Sequence, residues 1–307
     1  MMRAMLVGLI LCFASAGESR EKGGGWHETD SPHFAVIHEM TWLPAGFIMN
    51  LERMHGRLRM DLGWLSPWMD KERIKLYLYK TTRSYLAGEF QPPAWSNGLA
   101  IFASRSVAVP DQADHKVLLR VISHESTHLL FEGYWHEASK APPPAWINEG
   151  LAMMEENDTP AQPERSPWFQ SMVLAKPESF LPMQRFFALS PTKDLDNKAA
   201  IGDWYIQAYS MVYFLYHEYQ SLQFKNLCIH LREGRSLERC LWLAYRYNSL
   251  DSLEKDWRRW LGRADMRARV RRALADAPHE ESSGEGRKAP SAPLQFTPMK
   301  GFKSLRE

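Results

Sequence analysis

The sequence predicts an α+β protein, with a small sheet carrying one helix in the opening third and helix after helix beyond it. Three observations lead there. "HFAVIHE" (33 to 39) and "RIKLYLYK" (73 to 80) alternate apolar and polar residues as half-buried strands do. Between them, "AGFIMNLERMHGRLRMDLG" (45 to 63) repeats its apolar residues at the helical period, with Ile48, Leu51, Met54, Leu58 and Leu62 on one side. From about residue 114 onward the pattern is helical almost throughout. At 307 residues and 45% hydrophobic, the chain has enough apolar side chains for one large core or two smaller ones.

In "RIKLYLYK" the alternation sets Ile74, Leu76 and Leu78 on one face and Tyr77 and Tyr79 on the other. "GLAIFASRSVAV" (98 to 109) reads as one further strand. His27, His33 and His38, on or beside the first strand, read as ordinary strand and loop residues. A helix is expected from about Asp114 to Glu132, ended by Gly133. After a loop, "APPPAWINEGLAMMEEN" begins a second helix that takes Pro144 in its first turn without losing a hydrogen bond. From Ser166 to Asp276, helix starts are suggested at "SPWF", "SLER" and "SLDSLEKDW". Within that region Cys228 and Cys240 each stand six positions from Gly234, the turn of an expected helical hairpin. Equal height on antiparallel helices suits a disulfide, and two buried free thiols fit equally well.

The two ends differ from the middle. "MMRAMLVGLILCFASAGES" has Arg3, an apolar run from Met5 to Ala14 and the small-x-small sequence Ala14-Ser15-Ala16, which reads as a secretory signal peptide over residues 1 to 16. The protein is therefore expected to be exported, periplasmic or extracellular, without stable membrane insertion after cleavage. Residues 277 to 307, rich in Ser, Gly, Pro and charge, are expected to form a disordered tail. A net charge of +2 gives no reason to expect a nucleic-acid partner, and "RADMRARVRRALA" (263 to 275) reads as the solvated face of a terminal helix.

"RVISHESTHLLFEG" (120 to 133) is the stretch that carries chemistry. His124 and His128 are one helical turn apart, so both imidazoles point the same way and can hold one ion between them. Glu125 is turned by about 100° from His124, which sets its carboxylate beside such an ion, where a base acting on water must stand. Zinc needs a third protein ligand with a fourth position open, and Glu149, in the apolar context "PAWINEGLAMM", can supply it. Gly150 and Ala152 would let its helix approach the first closely. A chance H-E-x-x-H is expected in roughly 3 of 100 chains of this make-up. A buried carboxylate next to Trp146, Leu151 and Met153 needs a partner to stay ionised, and a metal is that partner.

"HESTH" followed by "PPPAWINEGLA", with "HFAVIHE" before and "YIQAYSMVYFLYHEY" after, resembles the peptidase MA-like gluzincins, a broad group of zinc metallopeptidases. The similarity spans roughly residues 26 to 262. It implies a zincin-like catalytic domain: a small N-terminal mixed sheet, the HExxH helix and the glutamate-ligand helix over residues 26 to 160, then a helical C-terminal subdomain over 161 to 276. It further implies one zinc per chain on His124, His128 and Glu149, with Glu125 as catalytic base and a peptide or protein substrate laid along an edge strand at "GLAIFAS". The reaction implied is metal-assisted peptide hydrolysis, in which Glu125 deprotonates a zinc-bound water and later protonates the leaving amine. A tyrosine or histidine from the downstream helices serves several relatives as oxyanion donor. Tyr209 matches that position through its "A-Y-S" stretch, with His217 and Tyr205 in reserve.

The sequence departs from the pattern twice. "SNGLAIF" lacks the acid with which related aminopeptidases hold a free amino group, which tilts the reading toward internal cleavage. Met153 occupies the place where thermolysin-like members carry the acid that orients a histidine, so Asn148, a backbone carbonyl or Glu155 must do so. An inactive zinc-binding scaffold on the same fold, and a hydrolase of cell-wall peptide, remain alternative readings.

Overall fold

A computed structural model describes residues 19 to 276, apart from Trp95 and Lys140. The expected signal peptide and tail lie outside these residues. Six strands form one mixed sheet: β1 (Ser19–Gly23), β2 (Trp26–Asp30), β3 (Phe34–His38), β4 (Ile74–Tyr79), β5 (Leu99–Ile101) and β6 (Ser106–Pro110), in the spatial order β1-β2-β3-β4-β6-β5. The pairs β1/β2, β2/β3 and β5/β6 are antiparallel, while β3/β4 and β4/β6 are parallel. The parallel β3/β4 pair needs a crossover, and α1 (Phe47–Leu62) supplies it.

Alternation along β4 divides the core as expected. Ile74, Leu76 and Leu78 enter the main core, whereas Tyr79 joins Tyr85 and Ala108 in a smaller cluster against which Trp26, Tyr77 and Phe90 pack. The one strand expected over residues 98 to 109 is instead a tight hairpin. Residues 102 to 104 make a 3-10 turn, and Arg105 takes a left-handed φ of 50°, so the chain reverses and lays β5 along β6 as the sheet's edge.

Below the sheet runs α3 (His115–His136), started by the Asp114 side chain accepting from the Lys116 N–H. It does not stop at Gly133. A Cβ there would come within 3.1 Å of the Phe102 ring, so the glycine permits close approach of the β5–β6 turn rather than ending the helix. All side chains from Ser123 to Trp135 are buried, which makes α3 the central strut of the molecule.

The remaining helices are α2 (Thr82–Leu86), α4 (Ala145–Glu155), α5 (Pro167–Leu174), α6 (Met183–Ala188), α7 (Pro191–Asp194), α8 (Lys198–His217), α9 (Ser221–Arg232), α10 (Leu237–Tyr245), α11 (Leu250–Leu261) and α12 (Ala264–Ala275). Pro144 is the N-cap of α4 and so stands just before its first turn. Ser166, Ser236 and Ser249 stand at the N-caps of α5, α10 and α11, as their sequences suggest. The hairpin of α9 and α10 turns at Gly234, with φ of +80°, and Cys228 and Cys240 are buried free thiols. One continuous core runs from Phe34 in β3 to Val270 in α12, through sheet and helices alike.

Gly150 fixes how α8 sits on α4. A Cβ on Gly150 would lie 2.4 Å from Val212 Cγ2 and 2.6 Å from the Ala208 carbonyl, so its close neighbour is α8, not α3 as its place beside Glu149 suggests. Gly150→Ala gains helix propensity of up to about 1 kcal/mol, but the overlap with backbone costs typically about 1–3 kcal/mol and can cost more. A lowered unfolding midpoint in denaturant is the expected result. A variant as stable as wild type would show that the two helices can separate freely.

Candidate metal centre

Helical period sets His124, His128 and Glu132 on one side of α3, facing α4. Asn148 and Glu149 stand in the first turns of α4 and face back. The donor atoms of His124, His128 and Glu149 lie within 4.8 Å of one another, the one such His/Cys/Asp/Glu group among the described residues. His124 Nε2 and His128 Nε2 are 3.0 Å apart, and Glu149 Oε2 is 3.8 Å from each. The in-plane point equidistant from the three is about 2.1 Å from each, the length of a zinc–nitrogen or zinc–oxygen bond.

Hydrogen bonds determine what these atoms can do. Glu156 Oε1 accepts from His124 Nδ1 at 2.8 Å, and its other oxygen accepts from Trp168 Nε1 at 2.9 Å. Asn148 Nδ2 donates to Glu132 Oε1 at 3.3 Å, which turns Asn148 Oδ1 toward His128 Nδ1 at 2.9 Å. Both Nδ1 atoms are therefore donors, and in neutral imidazoles both Nε2 atoms present lone pairs. Two lone pairs and a carboxylate oxygen then converge with no hydrogen to share. Glu149 Oε2 is buried without a hydrogen bond. A cation satisfies all three at once, so the donor set fits a metal.

Titration points the same way. Burial pushes Glu149 up to about 8 against the pull of His124, and Glu125 up to about 7 against the same neighbour. Burial also raises Glu132 to about 7 despite its bond from Asn148. Burial opposes the charged form of His124, but the carboxylates of Glu156, Glu125 and Glu149 outweigh it and raise its pKa; His128, lacking such support, is driven well below the usual imidazole range by burial and by His124. A divalent ion among these groups favours every carboxylate ionised and both imidazoles neutral.

Glu125 is held on the sheet side. Its carboxylate accepts from the Ala100 backbone N–H of β5, and a Cβ on Gly98 would come within 2.7 Å of its Cγ. The "SNGLAIF" stretch thus lies directly over the expected base, and its strand is the open edge of the sheet.

Of the orienting groups weighed from the sequence, Asn148 takes the role for His128. Glu155 does not take it for His124: its carboxylate faces Arg57, with Oε2 3.7 Å from Nε, and the neighbouring Glu156 binds the imidazole. Helical period could have found Glu156, because it stands seven residues after Glu149 and so on nearly the same face. His33 and His38 are engaged by Glu52 and Thr29, as structural residues are. Tyr209 is buried in α8, stacked near Trp168, and its hydroxyl bonds to the Ser166 side chain. Tyr205, one turn earlier, feels the charge of Glu149. His217 ends α8, two turns beyond Tyr209.

A mixed sheet above a buried H-E-x-x-H helix, with a glutamate from the next helix completing the donor set, defines a metallopeptidase-type centre. A family model described as the Peptidase MA superfamily matches residues 61 to 263, about two thirds of the chain, and the protein belongs to that superfamily of metallopeptidases. No curated protein matches the chain. Among the described residues, no helix is long and apolar enough to cross a membrane.

Proposed function

We propose that the protein is a zinc-dependent endopeptidase of the gluzincin type, with His124, His128 and Glu149 as the ligands and Glu125 as the general base. The observation that carries this reading is the triangle of Nε2, Nε2 and Oε2 atoms sized for zinc, with the Glu125 carboxylate beside it. Held by these three residues, zinc would supply Lewis acidity at the point where Glu125 faces the attacking water. Glu125 accepts the proton of the attacking water and passes it to the leaving amine. The Ala100 N–H and the close wall at Gly98 fix its carboxylate for both transfers. Glu156 and Asn148 keep both Nδ1 atoms protonated and both rings aimed inward. The free side of β5 offers backbone groups to an extended peptide. The stretch holds no acid to capture a terminal amine, which favours internal cleavage.

A peptide-library digest with the zinc-loaded protein tests the reading. Cleavage within peptides supports it, whereas a metal-loaded but inert protein favours the scaffold alternative. Activity confined to cell-wall peptide would favour the other. Export rests on the features of residues 1 to 16, and N-terminal sequencing of the mature chain checks cleavage after Ala16.

An oxyanion donor from α8 completes the proposal, with Tyr209 as the first candidate. Such a donor contributes about 2.7–4 kcal/mol to the transition state. Tyr209→Phe removes only the hydroxyl, so kcat should fall with stability and zinc content near wild type. Unchanged kcat would make Tyr209 a packing residue bonded to Ser166 and send the search to Tyr205, which is nearer Glu149, or to His217.

A further inference from the structure

The sequence of α4 leaves its own C-terminus uncompensated. Glu155 is the last helical residue and Glu156 the C-cap, and the final turn holds no basic residue. Two carboxyls thus stand where the helix dipole is negative and where the last carbonyls have no intrahelical donor. Yet Glu156 is the residue that must reach His124 Nδ1.

The missing cation comes from α1. Arg57 is half-buried there, and its Nη2 donates one hydrogen to the Glu155 carbonyl at 2.7 Å and the other to the Ser123 hydroxyl at 3.0 Å. The buried Ser123 donates in turn to the same carbonyl at 2.6 Å. Both lone pairs of that oxygen and both Nη2 hydrogens are then used, in a closed ring of three bonds that joins α1, α3 and α4. This ring stands one residue from each end of the bond that aims His124. Ser123 joins Glu155, and His124 joins Glu156, as successive rungs between the same two helices. Trp168 holds only the side chain of Glu156, whereas the ring holds the backbone that carries it.

We propose that Arg57 is a positioning residue for the metal centre: it pins the end of α4 to α3 so that Glu156 meets His124 Nδ1, and it sets zinc affinity in this way rather than by contact with the ion. The inference rests on the zinc reading given above. A guanidinium that served the fold alone would alter stability and leave the zinc affinity of the folded protein unchanged.

Zinc affinity of the whole chain, measured by competition with a chromophoric chelator on samples whose fold is checked by circular dichroism, tests the proposal in a double-mutant cycle. Arg57→Met keeps the aliphatic stem and should weaken zinc binding by about 10-fold, the lower end of what an orienting partner contributes. In a Glu156→Ala background the same substitution should cost less than about 2-fold, because the residue it acts through is gone. Ser123→Ala removes the other arm of the ring and should show the same dependence on Glu156, which decides the matter if Arg57→Met folds poorly. A second readout needs no metal. In metal-free protein with isotope-labelled histidine, the hydrogen-bonded His124 Nδ1 proton should give a downfield resonance in wild type, assigned by its loss in His124→Ala, that exchange weakens in both Arg57→Met and Glu156→Ala. Wild-type zinc affinity or an unaltered resonance in a folded Arg57→Met, or an equal loss of affinity with and without Glu156, overturns this inference alone. A wild type that binds no zinc overturns the metal assignment and this inference with it.

Discussion

Glu125→Gln is expected to keep fold and metal while peptide hydrolysis falls by at least ~100-fold, the lower end of what a positioned general base contributes. Glutamine has the same shape, which matters at a position closed by Gly98 on one side. Its amide oxygen can still accept the Ala100 N–H, so β5 keeps its place. What disappears is the basic oxygen. The three ligand atoms belong to other residues, and the hydrogen bonds that aim the imidazoles run to Glu156 and Asn148, so the metal should stay. Turnover of a fluorogenic peptide, measured with metal content on the same sample, separates the two effects. Undiminished turnover would mean that another group activates the water, and Glu132, the next buried carboxyl on α3, would be the first to examine. Loss of metal with activity would instead assign Glu125 a ligand's role.

What could be read from the sequence was what local periodicity controls. The two-residue repeat of β4 sorted its leucines from its tyrosines, and the 3.6-residue repeat placed His124, His128 and Glu149 on facing sides of two helices. Asp114, as a side-chain cap, marked the start of α3 for a purely local reason. The errors arose where a distant neighbour decides local structure. Gly133 reads as a helix end until Phe102 is known to lie against it, and the strand expected from Gly98 to Val109 breaks because the chain must turn back at Arg105 to give an edge. Glu156 was the more instructive omission. The position one turn after Glu149 is Met153, whereas Glu156, two turns after it, lies on nearly the same face and reaches Nδ1 of His124. Spacing narrows such a partner to a few residues, and only the crossing of α4 over α3 chooses among them.

The ligand assignment carries the second large effect. His124→Ala, His128→Ala and Glu149→Ala should each remove most of an expected one zinc per chain, because a site left with two protein donors loses the closed geometry that holds the ion. Glu156→Gln should be milder, about 10–100-fold in metal affinity, since it loosens a ring without removing a donor. Glu149→Ala is the most informative of the set. Glu149 Oε2 is buried without a hydrogen bond and burial raises its pKa to about 8, so the metal-free protein gains nothing from this carboxyl. Its removal should leave the metal-free melting temperature equal or higher. Wild type, by contrast, gains about 4 kcal/mol from zinc at a thousandfold excess over Kd, by mass action. A zinc-dependent rise in melting temperature in wild type, absent in Glu149→Ala, is the expected pair of curves. Full zinc occupancy in Glu149→Ala would shift the third ligand to Glu155 or Glu156. Each of these has a competing partner, Arg57 for the first and His124 with Trp168 for the second, so such a result would require the end of α4 to rearrange.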